Sequence, residues 1–156
     1  MKITLATLGE NHPSTAASYN NLGSAYNSKG EYDRAIEYYE RALKIRLATL
    51  GENHPDTAAS YAHLGIVYSS KGEYDRAIEY HERDLKIKAA TLVENHSDIA
   101  CSYNNLGVAY RGKGDYGRAI EQYEFALKIF TSTLGASHPI TVATKDNIKN
   151  TREEMN

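Results

Sequence analysis

The chain has 156 residues, 41% hydrophobic and 24% charged, which suits one folded domain and excludes a disordered composition. Its formal net charge of -2 lacks the basic excess that nucleic-acid binding needs, so no nucleic-acid partner is expected. A single cysteine, Cys101, and the lack of a signal-like or membrane-length apolar run favour a reducing, cytoplasmic setting with no membrane partner.

One stretch of forty-two residues recurs through the chain. Residues 8–49 and 50–91 are identical at 32 of 42 positions, residues 92–133 repeat the stretch more loosely, and residues 134–156 begin a fourth copy. Self-similarity at a fixed period predicts stacked repeat units, which here form a single repeat domain over residues 1–156. A stacked array exposes a surface rather than an enclosed pocket.

The first residues of the chain fall inside a repeat unit. Residues 1–7 align with residues 43–49 at the same spacing, which predicts the tail of a preceding second helix. Because natural termini seldom begin in mid-unit, we hypothesise that the chain is a slice of a longer array. A coding sequence with no repeat upstream would contradict this hypothesis, and a slice would lack a targeting signal in any compartment.

The first full repeat reads as two helices joined by a short turn. Pro13 suits a first helical position, and apolar residues recur from there at three- to four-residue spacing, which predicts a helix over about 13–28. Gly30 can adopt the left-handed conformation that ends helices. A second apolar stripe then runs from Tyr32 through about residue 49. So short a connection predicts an antiparallel hairpin.

The same signals recur in the later copies. In each hairpin a glycine and an alanine, such as Gly23 and Ala35, let the helices approach closely while tyrosines fill the space around them. No stretch alternates polar and apolar residues as a strand would, so the fold class is all-α. The further helices are predicted at about 55–70, 74–91, 97–112, 116–133 and 139–153.

These repeat positions carry a family resemblance. The segments LGENHPDTAASYAHLG and GEYDRAIEYYERALKI resemble the forty-two-residue tetratricopeptide repeat of kinesin light chains. The resemblance implies a right-handed superhelical solenoid of antiparallel helix hairpins, whose first helices line a concave groove that binds peptides and proteins. The signature spacing is held by Tyr19, where the family often has tryptophan, and by Leu22, Gly23, Tyr26, Ala35, Tyr39 and Ala42.

The repeat is longer than the usual thirty-four residues of the family. Leu47, Ala89 and Thr131 stand where the shorter repeat has a helix-breaking proline. The eight extra residues, divided between two helices, lengthen each helix by about one turn.

Two departures from the pattern fall in the middle of the chain. His81 and Asp84 replace Tyr39 and Ala42, and a buried aspartate is costly unless it is hydrogen-bonded. The two side chains lie three residues apart, so they are either partners in a functional dyad or, as we favour, a locally degraded or wet repeat contact. Restoring Tyr and Ala there is expected to raise the melting temperature. In the third linker, the glycine and proline are replaced by Val93 and Ser97, which is expected to loosen or lengthen it.

The last predicted helix departs from the pattern as well. Lys145, Lys149 and Arg152 replace the Tyr, Gly and Tyr of earlier copies, while Ile148 keeps its leucine position. The helix is therefore either a polar cap, which the end of a solenoid requires, or a decayed repeat.

No combination of residues predicts catalysis, a metal site or a cofactor site. The recurring histidines belong to the linkers, one per repeat, and are interpreted as residues at helix starts. Cys101 has no histidine beside it, and a free thiol in such a place is more often a packing residue than a nucleophile. The four linker histidines are His12, His54, His96 and His138.

Under the geometry that the resemblance implies, the groove is nearly uncharged, because charges crowd onto the second helix of each repeat. Asparagine amides both donate and accept, which suits the backbone of an extended peptide. Arg111 is the one charged anchor, and the neighbouring Asn21 and Asn105 are interpreted as structural. The predicted groove residues are Asn20, Ser24, Asn27, Ala62, Ile66, Ser69, Asn104, Val108 and Arg111.

Two functions remain open at this point. One is a scaffold that binds an extended peptide segment of a protein partner in this neutral groove. The other is a structural spacer, a fragment of a longer array with no ligand of its own. Replacing Asn20 and Asn104 by alanine abolishes partner capture under the first function and changes nothing under the second.

We predict concentration-dependent self-association through the ends of the array. An array cut inside a unit leaves the inner face of its first hairpin uncovered. Phe125 and Phe130, in place of Arg83 and Lys88, add apolar surface near the other end, and exposed apolar patches favour association. Sedimentation from micromolar to millimolar concentration checks this, and a strict monomer throughout would contradict it.

Overall fold

The computed structural model describes residues 9–156 and contains seven α-helices and no strand in that range. Each helix packs against the next one along the chain, and α3 also contacts α5, so the hairpins stack into an all-α solenoid. The bounds lie within two residues of those predicted, while the predicted helix tail at residues 1–7 lies outside the described part. The helices are α1 (Pro13–Ser28), α2 (Tyr32–Leu50), α3 (Pro55–Lys71), α4 (Tyr74–Thr91), α5 (Ser97–Lys113), α6 (Tyr116–Leu134) and α7 (Pro139–Met155).

The odd-numbered helices all begin with the same cap. In each, a histidine Nδ1 accepts the backbone N–H two residues further on, at 3.0 to 3.3 Å. This bond pairs one of the amide groups that the first turn of a helix leaves unpaired. The interpretation of His12, His54, His96 and His138 as residues at helix starts is therefore confirmed.

Within each hairpin a glycine lies directly against an aromatic ring of the next helix. A Cβ added to Gly107 would lie 2.6 Å from ring atoms of Tyr123, and one added to Gly23 would lie 2.7 Å from Tyr39. Both rings are buried, at 0% and 3% exposure. Only glycine allows this approach, so the ring and the glycine together set the separation of the two helices.

The third linker is one residue longer than its counterparts. It spans residues 92–96, whereas residues 51–54 suffice between α2 and α3. Gly51 continues the chain with a φ of 88°, a left-handed value that Val93 cannot adopt without strain. The chain therefore leaves α4 earlier, at Leu92, in an extended conformation. The predicted lengthening is confirmed.

One predicted apolar exposure is wrong. Phe130 is fully buried, because Ile99, Ala100 and Ile129 surround it and Ile140 of α7 packs against the same cluster. The final helix thus covers the position that the second repeat gives to Lys88. Phe125, the other phenylalanine of that prediction, is 46% exposed.

Gly107→Ala is expected to destabilise the protein by about 1–3 kcal/mol, because the new methyl group overlaps the Tyr123 ring. The matched control is Gly117→Ala in α6, where an added Cβ meets nothing within 4 Å. That change is expected to stabilise by about 0.5–1 kcal/mol, since alanine favours helix more than glycine does. Urea unfolding measures both, and stabilisation by both would refute the close glycine–ring contact.

Candidate functional site

The odd-numbered helices leave one face uncovered by the even-numbered helices. We call the nine predicted groove residues, together with Ala59, His63, Cys101 and Asn105, the groove face. Seven of the nine are half-buried, while Ile66 and Val108 are exposed at 40% and 44%. The even-numbered helices instead carry local ion pairs, such as Arg41–Glu37 at 2.5 Å and Arg83–Glu79 at 2.7 Å.

Two clefts divide the groove face between α3 and α5. The first has a volume of 330 Å³ and is lined by Ala62 and Ile66, with His63 beside them and Lys88 and Asp98 at one side. The second has a volume of 390 Å³ and contains three further predicted residues, together with Ser70, Tyr74, Gly112 and Glu154. Those three are Ser69, Val108 and Arg111. Neither cleft includes the predicted residues of α1, Asn20, Ser24 and Asn27.

Four of the nine predicted residues carry a buried oxygen atom with no hydrogen-bond partner within residues 9–156. Buried polar atoms are almost always paired, so these four atoms are candidates to accept a hydrogen bond from a ligand. Other buried atoms without a protein partner, such as Thr141 Oγ1, lie outside the groove face. Ser24 differs from these four, because its hydroxyl lies 3.1 Å from the Tyr39 hydroxyl. The four unpaired atoms are Asn20 Oδ1, Asn27 Oδ1, Ser69 Oγ and Asn104 Oδ1.

His63 is a groove residue that the sequence did not single out. Its ring stacks on Tyr39 with centroids 5.2 Å apart, and its Nδ1 is buried without a partner in the described chain. Burial lowers the pKa of His63, and the charges of Arg46 and Lys88 lower it further. The lowered pKa favours the neutral imidazole, in which one of the two ring nitrogens is an acceptor.

His63 occupies the repeat position of Asn21 and Asn105, and this equivalence is the only signal that the sequence held for it. Contrary to their structural interpretation, Asn105 makes no side-chain hydrogen bond within residues 9–156.

The predicted charged anchor already has a partner. The Nε of Arg111 donates to Glu154 Oε2 at 3.0 Å, and a second guanidinium nitrogen contacts Glu154 Oε1. This pairing raises the pKa of Arg111 and lowers the pKa of Glu154. Arg111 is therefore not a free cation, and the sequence missed its partner because the two residues lie 43 positions apart.

His81 and Asp84 do not partner each other. Ser102 of α5 donates to Asp84 Oδ2 at 2.6 Å, and the ammonium of Lys88 lies 3.0 Å from Asp84 Oδ1. Burial raises the pKa of Asp84, and these two partners oppose that shift. The functional dyad is thus corrected, because Asp84 belongs to a hydrogen-bonded network between repeats. His81 fits the degraded contact, because its Nδ1 is buried without a partner in the described chain.

The described residues contain no group of histidine, cysteine and acidic side chains that can hold a metal ion. Cys101 packs beside the cluster around Phe130, and burial raises the pKa of its thiol, which suits a packing residue. Among the helices of residues 9–156, none has the length and hydropathy needed to cross a bilayer.

The last helix has a buried and a polar side. Ile148 is buried, Lys145 and Lys149 are exposed, and Arg152 pairs with Glu124 at 3.1 Å. The helix therefore buries the leucine position of the repeat and exposes the three positions that carry basic residues.

Comparisons with known proteins agree with the repeat geometry. A family model of the tetratricopeptide repeat matches residues 1–48, 14–90 and 98–156. Crystal structures of a kinesin light chain-like protein from Podosopora anserina, with nearly identical TPR-like repeats, superpose with TM-scores of 0.83 and 0.82. They share 31% identity with this chain and cover 97% of it and 72% of their own length. The resemblance predicted from the repeats is thereby confirmed.

Other solved structures extend the likeness. BtubC (BKLC) from P. vanneervenii has a TM-score of 0.79 and 30% identity, over 88% of this chain and 55% of its own. The apo form of RapI has a TM-score of 0.83 at 22% identity, over 99% of this chain and 54% of its own, and shows a shared fold. Among curated proteins, none matches the chain significantly.

His81→Tyr is expected to make the protein less sensitive to acid. Burial, reinforced by Lys88, lowers the pKa of His81 to about 4, whereas an unfolded histidine titrates near 6.5. The unfolded state therefore binds the proton more tightly, and stability falls as the pH drops from about 6.5 to about 4. The stability gap between variant and wild type should widen by about 3 kcal/mol across this window, as urea unfolding at several pH values can show.

Asp84→Ala provides the contrast at the same interface. Because the pKa of Asp84 is raised in the folded protein, its contribution to stability decreases as the pH rises, which is the opposite of the pH dependence of His81. The ionised carboxylate therefore opposes folding at neutral pH. Alanine copies Ala42 of the first repeat, where Arg46 donates directly to Ser60 at 2.8 Å. We expect Asp84→Ala to be at least as stable as wild type at pH 7, and the double variant His81→Tyr/Asp84→Ala to have a higher melting temperature than wild type.

The prediction for His81→Tyr would be contradicted by a difference in stability from wild type that does not change with pH, because the burial of His81 requires such a change.

Proposed function

Because the chain belongs to the tetratricopeptide repeat family, whose fold is generally a protein–protein interaction scaffold, we propose that it is a non-catalytic, cytoplasmic scaffold that binds an extended peptide segment of a protein partner. The groove face is the binding surface in this proposal. The observation that carries it is the set of unpaired oxygen atoms there, which includes Asn104 Oδ1 of α5.

Unpaired amide oxygens suit the main chain of a peptide. A peptide in extended conformation presents backbone N–H groups that need acceptors, and the side-chain NH₂ groups of the same asparagines can donate to peptide carbonyls. A buried acceptor without a hydrogen bond destabilises the protein. A hydrogen bond from a ligand to Asn104 or Ser69 therefore stabilises the complex more than one to an exposed polar group does.

The apolar part of the groove face supplies the side-chain selectivity. Ile66 and Val108 are exposed on neighbouring helices, and the cleft at Ala62 and Ile66 has room for one branched apolar side chain. Covering such surface stabilises a complex by roughly 25 cal/mol per Å² of apolar area. The ligand is therefore expected to carry one apolar residue there and to tolerate changes elsewhere.

The alternative function is a structural spacer that stacks on further repeats or on a second copy of the chain. The exposed Phe125 at the surface of α6 is the observation in its favour. The spacer needs no groove, so substitutions on the groove face distinguish the two functions.

Asn104→Ala is expected to weaken binding of a peptide selected from a random display library by about fivefold, since one hydrogen bond to a buried acceptor is lost. Wild-type affinity should change little between low and high salt, because neutral hydrogen bonds are not screened. Titration by fluorescence anisotropy measures both effects. The matched control is Asn53→Ala, the same chemical change at an exposed linker position.

Two results would contradict the proposal. A steep salt dependence with unaffected Asn104→Ala would place the ligand on the charged even-numbered helices. A library that yields no binding peptide, together with dimers that survive groove substitutions, would favour the spacer.

A further inference from the structure

A further cleft, which we call the end cleft, lies outside the groove face, between α6 and α7. It has a volume of 410 Å³, and the apolar residues that line it are Leu127 and Ile148. Leu127 holds the repeat position of Leu43, which packs together with Tyr61 of α3 and Tyr80 of α4. The end cleft is therefore the place where the second helix of a hairpin lies in the earlier repeats, and no helix of residues 9–156 fills it.

The side of α7 that borders the end cleft carries cations. Lys145, Lys149 and Arg152 all line the cleft, and all three are exposed. Arg152 pairs with Glu124 of α6 at 3.1 Å, whereas neither lysine forms an ion pair within residues 9–156. The other carboxylate of the lining is Glu153. Three cations and two carboxylates give the cleft an excess of positive charge, although the whole chain carries a net charge of -2.

A further helix of the same repeat type cannot fill the end cleft as the earlier helices do. In the earlier hairpins an aromatic ring lies against glycine, and a Cβ at Gly107 would lie 2.6 Å from ring atoms of Tyr123. Lys149 holds that glycine position and places a whole side chain there. An even-numbered helix of a second copy meets the same obstacle, and its outer charges are largely paired with one another, as in Arg41–Glu37. The cleft therefore suits an occupant of another kind.

The two lysines indicate the chemistry of that occupant. Lys145 and Lys149 lie four residues apart, so they project from one side of α7 about 6 Å apart. Two carboxylates one turn apart on a facing helix have the same spacing. Val142, one turn before Lys145, is 42% exposed, and the aliphatic stems of the lysines extend this apolar surface. Acidic groups beside apolar residues are thus the complement of the cleft.

We propose that the end cleft binds an acidic amphipathic helix of a protein partner, with two carboxylates one turn apart against Lys145 and Lys149 and apolar side chains on Leu127, Ile148 and Val142. This surface is separate from the groove face, so the inference goes beyond the peptide binding proposed above. The bound helix lies further from α7 than α6 lies from α5, because lysine side chains stand between the two helices. Salt screens exposed ion pairs, so this binding depends on salt, in contrast to binding at the groove face.

The first test uses two alanine-based peptides of about 18 residues, a length at which isolated helices form. Both carry leucines along one side, flanked by two glutamates one turn apart in the first peptide and by two glutamines in the second. In fluorescence anisotropy titrations, wild type should bind the Glu peptide about fivefold more tightly than the Gln peptide, and high salt should remove the difference. Lys145→Gln/Lys149→Gln should abolish the preference. The matched control Lys44→Gln/Lys86→Gln, at exposed positions of α2 and α4, should keep it.

The second test locates the bound peptide by methyl NMR. Addition of the Glu peptide should shift the signals of Val142 and Ile148 and leave those of Ile66 and Val108 on the groove face unchanged. Asn104→Ala should bind the Glu peptide as wild type does.

Several outcomes would overturn the proposal. These are equal binding of the two peptides, equal losses in both double variants, and no binding of the Glu peptide at millimolar concentration. Shifts confined to Ile66 and Val108 would overturn it too, because they would assign the peptide to the groove face. A dimer that sedimentation detects and that Lys149→Glu dissociates would show that a second copy of the chain, rather than an acidic helix, occupies the end cleft.

Discussion

The contact between a glycine and an aromatic ring inside each hairpin sets the geometry of the whole solenoid. At Gly23 and Gly107 the ring lies where a side chain would otherwise be, which brings the helix axes together. The same contact fixes where the ring ends. The Tyr39 hydroxyl emerges beside Ser24 of the groove face, 3.1 Å from its oxygen, so close packing and groove chemistry are determined together. His81 keeps the contact with a shorter ring and carries no hydroxyl to that surface.

The interfaces between repeats vary by coordinated substitution. At the first, Arg46 donates to Ser60, and at the second, Lys88 donates to Ser102 while also pairing with Asp84. At the third interface both partners change, because the buried Phe130 and Thr144 take these positions and the threonine hydroxyl bonds within its own helix. Because a lone buried cation or hydroxyl is costly, partners must change as pairs. Such paired changes keep neighbouring repeats coupled although their chemistry differs.

Periodicity made the helices and their buried faces predictable, since each depends on residues close together in the chain. It placed the helix bounds and the histidine caps, whereas the choice of the face that holds Asn104 came from the family resemblance. It did not give the partners of side chains that meet across repeats. Asp84 finds Ser102 eighteen residues away and Arg111 finds Glu154 forty-three residues away. Which side chains meet across repeats depends on how successive hairpins are rotated relative to one another, and a forty-two-residue period does not specify that rotation. Phe130 was misjudged for the same reason, because its cover comes from α7.

The separation of charge between the two sets of helices constrains how the groove face can select a partner. On the even-numbered helices, oppositely charged residues four positions apart form ion pairs, such as Glu37–Arg41. These pairs contribute little stability, but each neutralises its own two charges. On the groove face Glu154 neutralises Arg111, so long-range attraction cannot draw a partner to it. The groove face must then select its partner through short-range contacts, polar and apolar, that follow one another in a fixed order along the face. Unpaired amide oxygens recur along the face and carry little directional information. An apolar patch at Ile66 with a masked cation at one end is asymmetric, and this asymmetry would give a bound peptide its direction.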